Sequence, residues 1–365
     1  MVNLDFFPSK RIALYMAKLF VLRSLAVLAA LVVVLQTLDL LGESGKILRV
    51  AGNGDAQLWQ YVALRIPQLV ARFLPFSVLL GTLITLATLN QNSEVVSMKA
   101  AGISAHQIIA PLMLASLLIA ALSFVFQETV VTRATAQLSA WQAVDYGPIP
   151  RESGTSNNVW VRHQDDLIFA RVVSGRGAGT RLRGVTVYDR SGGTLETVIE
   201  ARAARPSANG WQLEGATVFD VSTTTERSAA NLIVGRGVDP TQFTLANVDP
   251  DEQDVAQLRD SIEQMEAAGR PTGPLKAGLW HKFSGPLSAV LMPLLAAVAA
   301  FGLARSGQLF LRAVIGMALG FAYFVADNFA LAMGNFGAYP PLLAAWAPFV
   351  LFLLIGETVL VRTEE

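Results

Sequence analysis

Apolar positions along the 365-residue chain fall into six long runs, three towards each end, with a differently patterned stretch between them. The first run covers residues 19–41 and is broken only by Arg23, Ser24, Gln36, Thr37 and Asp39. Five more cover approximately 66–89, 106–126, 280–304, 309–333 and 341–361. A hydrocarbon core about 30 Å thick needs roughly 20 apolar residues per helix, so each run is long enough to cross a bilayer. A signal peptide carries an apolar stretch of only about 7–15 residues ending in small side chains. The first run is longer and ends in Asp39-Leu40-Leu41-Gly42-Glu43, so it reads as a membrane helix.

Between residues 126 and 280 the period changes. Short runs rich in Val, Thr and aromatics lie at 158–161, 167–173, 184–188, 195–203 and 211–219, with weaker ones to Leu245. Clusters such as Ser191-Gly192-Gly193 and Ala208-Asn209-Gly210 separate them. Regular short strands with turn signals predict a sandwich or barrel rather than βαβ units. Residues 251–269 then read as an amphipathic helix leading back to the membrane. Val255, Leu258, Ile262 and Met265 share one face, acids fill the first turn, and Gly269 offers a C-cap. The predicted fold class is an α-helical membrane protein of six transmembrane helices with an inserted all-β domain. Its expected divisions are 1–126, 127–279 and 280–365.

Composition agrees with this pattern. Charged residues make up 15% of the chain, against roughly 25% in soluble domains, and 53% are hydrophobic. The formal net charge is zero, which removes any global electrostatic case for nucleic-acid binding. The chain has no cysteine, so disulfides, thiol catalysis and Cys-ligated metals are excluded. Lys and Arg in short loops set orientation. Lys10, Arg11, Lys18, Lys99, Arg305, Arg312 and Arg362 fall on one side, and Lys46, Arg49 and Arg65 on the other. The bias places both termini in the cytoplasm and the β-domain outside.

Candidate chemistry is sparse. Glu43-Ser44-Gly45-Lys46-Ile47 looks like the end of a phosphate-binding loop, but the first Gly is missing and Ile47 replaces the metal-binding hydroxyl. His106, His163 and His281 are widely spaced, and no Gly-x-Ser-x-Gly elbow is present. No catalytic centre, cofactor site or metal site is expected in the chain. Two features remain. The loop Asn90 to Ser104 contains Ser93-Glu94 at the start of a short helix, with Val95, Met98 and Ile103 available to an apolar groove and Gly102 as its stop. It suits docking to a soluble partner as well as it suits a connector on lipid headgroups. Asp39, Arg72 and Asp327 lie inside predicted helices at similar depth, where charges are costly. They fit a structural ion pair, Arg72 with Asp39 or Asp327, or a cavity that meets a polar lipid headgroup. Gly316-x-x-x-Gly320 permits close helix contact, as ordinary packing or as a moving interface.

In this arrangement the chain resembles the LptF/LptG permeases, the paired membrane subunits of the ABC-type lipopolysaccharide exporter of Gram-negative bacteria. The resemblance covers essentially the whole length. It is carried by Arg11-Ile12 through Asp39, by Pro75 to Gly81, and by Asn92-Ser93-Glu94 to Gly102. It continues in Leu279-Trp280-His281-Lys282-Phe283-Ser284-Gly285-Pro286-Leu287-Ser288, in Tyr323 to Asn328, and in Pro340-Pro341. The Trp-x-Lys-Phe-x-x-Pro-Leu-Ser run and the Asp in helix five look more like LptG than LptF. The resemblance implies an LptF-like partner permease and an LptB-like ATPase dimer in the cytoplasm, which holds ATP and Mg. It implies a coupling helix near 92–103, comprising Ser93, Glu94, Val95, Met98, Lys99 and Gly102. It also implies lateral gates built from the first and fifth helices, and a β-jellyroll domain in the periplasm. That domain joins LptC-like and LptA-like bridge proteins, all served from the inner membrane.

Gln36, Asp39, Glu43, Arg72, Gly316, Gly320 and Asp327 are the residues expected at the lipid cavity or gate. LptG-type proteins commonly place lysines near the outer end of helix one, where this chain has Gln36 and Glu43 with only Lys46 nearby. That departure raises the expectation of a lipid less anionic than typical lipopolysaccharide, another acidic glycolipid, with Arg72 as a compensating charge. Competing readings from other classes are a membrane-embedded mechanotransmitter without transport, a lipid-modifying enzyme and an adhesive receptor.

Overall fold

The computed structural model describes residues 9–148, 156–163, 165–175, 179–190, 194–244, 248–267, 269–301 and 309–362. Arg305, part of the orientation argument, lies outside the described residues, as does the turn at Ser191-Gly192-Gly193. Among the described residues six helices are long and apolar enough to cross a membrane. They are α1 (Lys10–Arg49), α2 (Asp55–Gln91), α4 (Ala105–Phe126) with its continuation, α8 (Gly273–Phe301), α9 (Leu309–Asn335) and α10 (Pro341–Arg362). A short helix, α3 (Glu94–Ala100), joins α2 to α4.

Two helices overrun the lengths expected from hydropathy. Helix α1 extends by about two turns at each end, started by Ser9, whose hydroxyl accepts from the Ile12 amide. The third span does not stop at Phe126. It passes through a π-helical segment, Gln127–Val131, into α5 (Thr132–Gln142). Gln127, Glu128 and Thr129 end the apolar run but are compatible with a helical backbone, so hydropathy and helix end at different places.

Helix α8 is the axis of the bundle. Of its apolar window 72% is buried, against 28% for α1 and 22% for α9, so those two present most of their apolar surface outward. Leu291, Leu294 and Leu295 of α8 pack with Leu79, Leu86 and Leu89 of α2 and with Ile108 and Leu112 of α4. Two of the contacts made by α2 need glycine. A Cβ on Gly81 would lie 2.7 Å from both Cα and N of Ser24, so α1 and α2 meet backbone to backbone there. Gly316 and Gly320 admit Leu83 and Leu79 of α2 against α9, which makes the small-residue motif a packing contact.

The insert is all-β. Strands β1 (Ser156–His163), β2 (Asp166–Ser174), β3 (Arg181–Asp189), β4 (Thr197–Ser207), β5 (Gly210–Asp220) and β6 (Thr225–Val234) form one antiparallel sheet in chain order. Alternation buries one face, with Val159, Val161, Ile168, Leu182, Val185, Val187, Trp211, Leu213 and Val218 in its core. Phe243 of α6 (Pro240–Thr244) closes it, stacked edge-on to Trp211 with centroids 4.9 Å apart. Gly184 and Gly215 sit mid-strand at φ 60° and 64°, in one register row with Arg171 and Arg202. Glycine kinks aligned across strands bend a sheet, and Arg171 and Arg202 lie over the two glycines.

The predicted return helix begins later than residue 251. Pro250–Glu252 forms a separate 3-10 turn, and α7 runs Val255–Ala267. Asp254 and Gln257 form its capping box, and Leu258, Ile262 and Met265 face inward as expected. Gly269 at φ 68° ends it, with Arg270 N bonded to Met265 O.

Candidate functional site

A cavity of about 420 Å³ opens among α2, the α4–π–α5 helix, α8 and α9. Leu74, Phe76 and Phe324 give it an apolar wall, while Arg65, Arg72, Asp251, His281 and Asp327 make it polar elsewhere. His281 Nε2 lies 3.0 Å from Asp327 Oδ2. Asp251 stays in touch with solvent, yet protein crowding round its carboxyl holds it above the usual carboxylate range, with Asp249 adding to the rise and His281, Lys282 and Arg72 opposing it.

The ion pairs differ from those expected. Asp39 pairs with Arg65, not Arg72: Arg65 Nε and Nη2 each lie 3.1 Å from the carboxylate, and the Tyr61 hydroxyl donates to it at 2.5 Å. The antiparallel register explains the choice. Ser24 lies level with Gly81, which puts Asp39 level with Arg65 and leaves Arg72 opposite the Val32–Leu69 contact. Seven residues displace Arg72 by about 10 Å along the axis. Asp327 is taken by His281. Among the described residues Arg72 has no hydrogen bond or ion pair within 4 Å, and its side chain is exposed to the cavity.

Of the other residues expected at the cavity, Gly320 lines it and Gly316 packs one turn away. Gln36 and Glu43 do not line it. Gln36 is buried, with neither amide atom bonded among the described residues. Glu43 binds Lys46 at 2.8 Å and accepts from the Tyr146 hydroxyl at 2.7 Å, in a polar hub with Asp39 that fastens α1 to α2 and to the turn after α5. Burial pushes the Tyr146 hydroxyl up to about 12. The arginines that line the cavity are Arg65 and Arg72, alongside the acids Asp251 and Asp327.

Sequence reasoning missed a second constellation. Lys282 Nζ lies 3.0 Å from Glu128 Oε1, with only 2% of the lysine side chain exposed. Glu128 Oε2 accepts from the Val255 amide at 2.6 Å. The available signal was a pair of opposite charges at the two edges of the β-insert, one just past residue 126 and one inside the Trp-x-Lys-Phe run.

At the opposite end of the bundle, α3 lies against α1, α2 and α4. Ser93 adopts φ 59° to turn the chain into it, and Gly102 at φ 85° turns it out. Glu94 Oε1 accepts from the Tyr15 hydroxyl at 3.4 Å and from Asn92 Nδ2 at 3.2 Å. Val95 is 4% exposed within the bundle core, and Met98 and Ile103 pack on that core. The apolar trio expected to face a partner thus faces inward, because a seven-residue helix on a bundle must bury its own apolar side first. Its outward face carries Val96, Ser97, Lys99 and Ala100.

The family model for the lipopolysaccharide export system permease LptF/LptG matches residues 14–362. The lipopolysaccharide export system permease protein LptG of Escherichia coli strain K12 is 25% identical over 351 residues, covering 94% of each chain. LptG of Haemophilus influenzae is 25% identical over 331 residues, covering 87% of this chain and 90% of its own. Matched over nearly its whole length, with six spans and an all-β insert after the third, this chain belongs to the LptF/LptG family of lipopolysaccharide export permeases.

Proposed function

We propose that this chain is the LptG-like permease subunit of an ABC exporter that draws lipopolysaccharide from the bacterial inner membrane and passes it to a periplasmic bridge. The observation that carries this reading is the family match across residues 14–362, with relatives that bear the name LptG. In this reading α3 and both termini are cytoplasmic and the β-sheet is periplasmic. An LptF-like permease completes the membrane unit. An LptB-like ATPase dimer, with its ATP and Mg, meets α3, and LptC-like and LptA-like proteins continue from the sheet.

The mechanism follows from contacts already described. Closure of the ATPase displaces α3, which is joined to α2 and α4 by short turns and to α1 through Tyr15 and Glu94. Lipid phosphates meet Arg72 and Arg65, and acyl chains meet Leu74, Phe76 and Phe324. Helices α1 and α9, the least buried spans, are the gates. Collapse of the cavity weakens lipid contacts there relative to those on the sheet, and that difference drives the transfer.

Affinity purification of the tagged chain in mild detergent, with an ATPase assay, tests the reading. Recovery of a second six-helix permease and a soluble ATPase, both lost in Glu94→Lys, supports it. Recovery of the chain alone in several detergents, or lipid-stimulated ATPase activity unchanged by Glu94→Lys, counts against it.

A further inference from the structure

The β-sheet connects to the membrane helices by two crossings, the outgoing π segment and α5, and the returning Pro250–Glu252 turn and α7. Glu252 of the returning turn bonds the Ser139 hydroxyl of α5, and a second carboxylate, Glu128, touches both crossings and α8 as well. Glu128 lies in the π segment, where the Thr132 amide bonds back to Gln127 O and the widened turn projects its side chain. Its Oε1 takes Lys282 of α8, and its Oε2 takes the first amide of α7, a donor with no partner inside its own helix and at the positive end of the helix dipole. The same crossings are wedged nearby, since Gly278 of α8 leaves room for Pro250 and no side chain.

Lys282 is nearly fully buried, and a buried cation parted from its counter-charge is strongly destabilised. The charge of Lys282 also reaches Asp251. Displacement of α8 therefore carries Glu128 with it, and Glu128 in turn holds the start of α7. We propose that Glu128 is a positioning residue, the joint that makes α8, the π segment and the return helix move as one body and so fixes the β-sheet over the bundle. Its consequence for lipid delivery rests on the export reading above; the joint itself does not.

The absence of cysteine makes the test direct. Spin labels at Glu226→Cys, on the sheet, and Ala338→Cys, in the turn between α9 and α10, report the distance between sheet and bundle. The sample is the full chain in nanodiscs of phosphatidylethanolamine and phosphatidylglycerol. The parent carrying both labels gives a single narrow distance peak. Glu128→Gln with Lys282→Met removes both charges at similar volume, and the exchange Glu128→Lys with Lys282→Glu rebuilds the pair but leaves the Val255 amide without the Glu128 acceptor. Both lose the narrow peak while the thermal midpoint of the bundle stays at the parent value. A narrow peak in either variant overturns the proposal, and so does broadening that comes with a fallen midpoint, which is general loss of packing. With co-purified partners, both variants keep ATPase activity and lose photo-crosslinking of lipopolysaccharide to the sheet. A parent chain that captures no lipid would instead defeat the export reading and leave the distance result standing.

Discussion

Replacing Gly81 by Ala puts a methyl group where α1 and α2 touch. Its carbon would lie 2.7 Å from Cα and N of Ser24, about 0.7 Å inside an ordinary contact of 3.4 Å. Those are backbone atoms, so rotating a side chain gives no relief and the helices must part. Overpacking of this kind costs about 1–3 kcal/mol. Because the clash is with rigid backbone, the cost lies in the upper part of that range, about 2–3 kcal/mol, and the helix propensity of Ala over Gly returns about 1 kcal/mol, leaving a net loss of about 1–2 kcal/mol. Equilibrium unfolding of the purified chain in mixed micelles, followed by tryptophan fluorescence, measures it. Ser24→Gly in the Gly81→Ala background restores only part of the loss, because it removes the Ser24 hydroxyl and leaves the backbone clash. A Gly81→Ala protein as stable as the parent, or full rescue by Ser24→Gly, would refute the backbone-to-backbone reading of this contact.

Three further outcomes are expected. Trp211→Ala removes a 2%-exposed ring, its stacking on Phe243 and its bond to Val238 O at 3.0 Å, and costs about 3–5 kcal/mol. Limited trypsin digestion of the full chain then cuts the β-sheet at lower temperature while the membrane helices stay intact. Asp220 is held down to about 2 from 3.8 by the Ser222 hydroxyl first and the Thr223 amide next. A depressed folded value means its contribution to the β5–β6 turn is complete above 3.8 and fades as pH falls towards about 2. Amide exchange at Ser222 and Thr223 should accelerate through that window, and Asp220→Asn should abolish the dependence. Gly320→Val drives a branched side chain into Leu79 and costs about 1–3 kcal/mol, read as a lower unfolding midpoint with α9 loosened from α2.

The membrane helices were legible because a bilayer imposes a length, and roughly 20 apolar residues leave little ambiguity. Their ends were not, since Gln127 to Thr129 and the charged residues Glu43, Lys46 and Arg49 are helical although they break the apolar runs. The alternating strands were legible for a similar reason, but the bend at Gly184 and Gly215 depends on two strands agreeing in register, and neither strand alone shows it. Pairing was harder still. Asp39, Arg72 and Asp327 were recognisable as costly intramembrane charges, whereas the partners Arg65 and His281 depend on how far each helix slides along its neighbour. Glu128 and Lys282 are 154 residues apart, and no local pattern joins them.

The continuous helix from Ala105 to Gln142 has a mechanical consequence. Its 38 residues measure about 57 Å, nearly twice the thickness of the bilayer core. Helices α1 and α2, at 40 and 37 residues, are as long, whereas α9 and α10 end within 27 and 22. Half of the bundle is thus a set of levers and half a low fulcrum. A tilt of about 1° applied at the α3 end carries the tip at Gln142 through about 1 Å, so small strokes at one face of the membrane arrive enlarged well above the other.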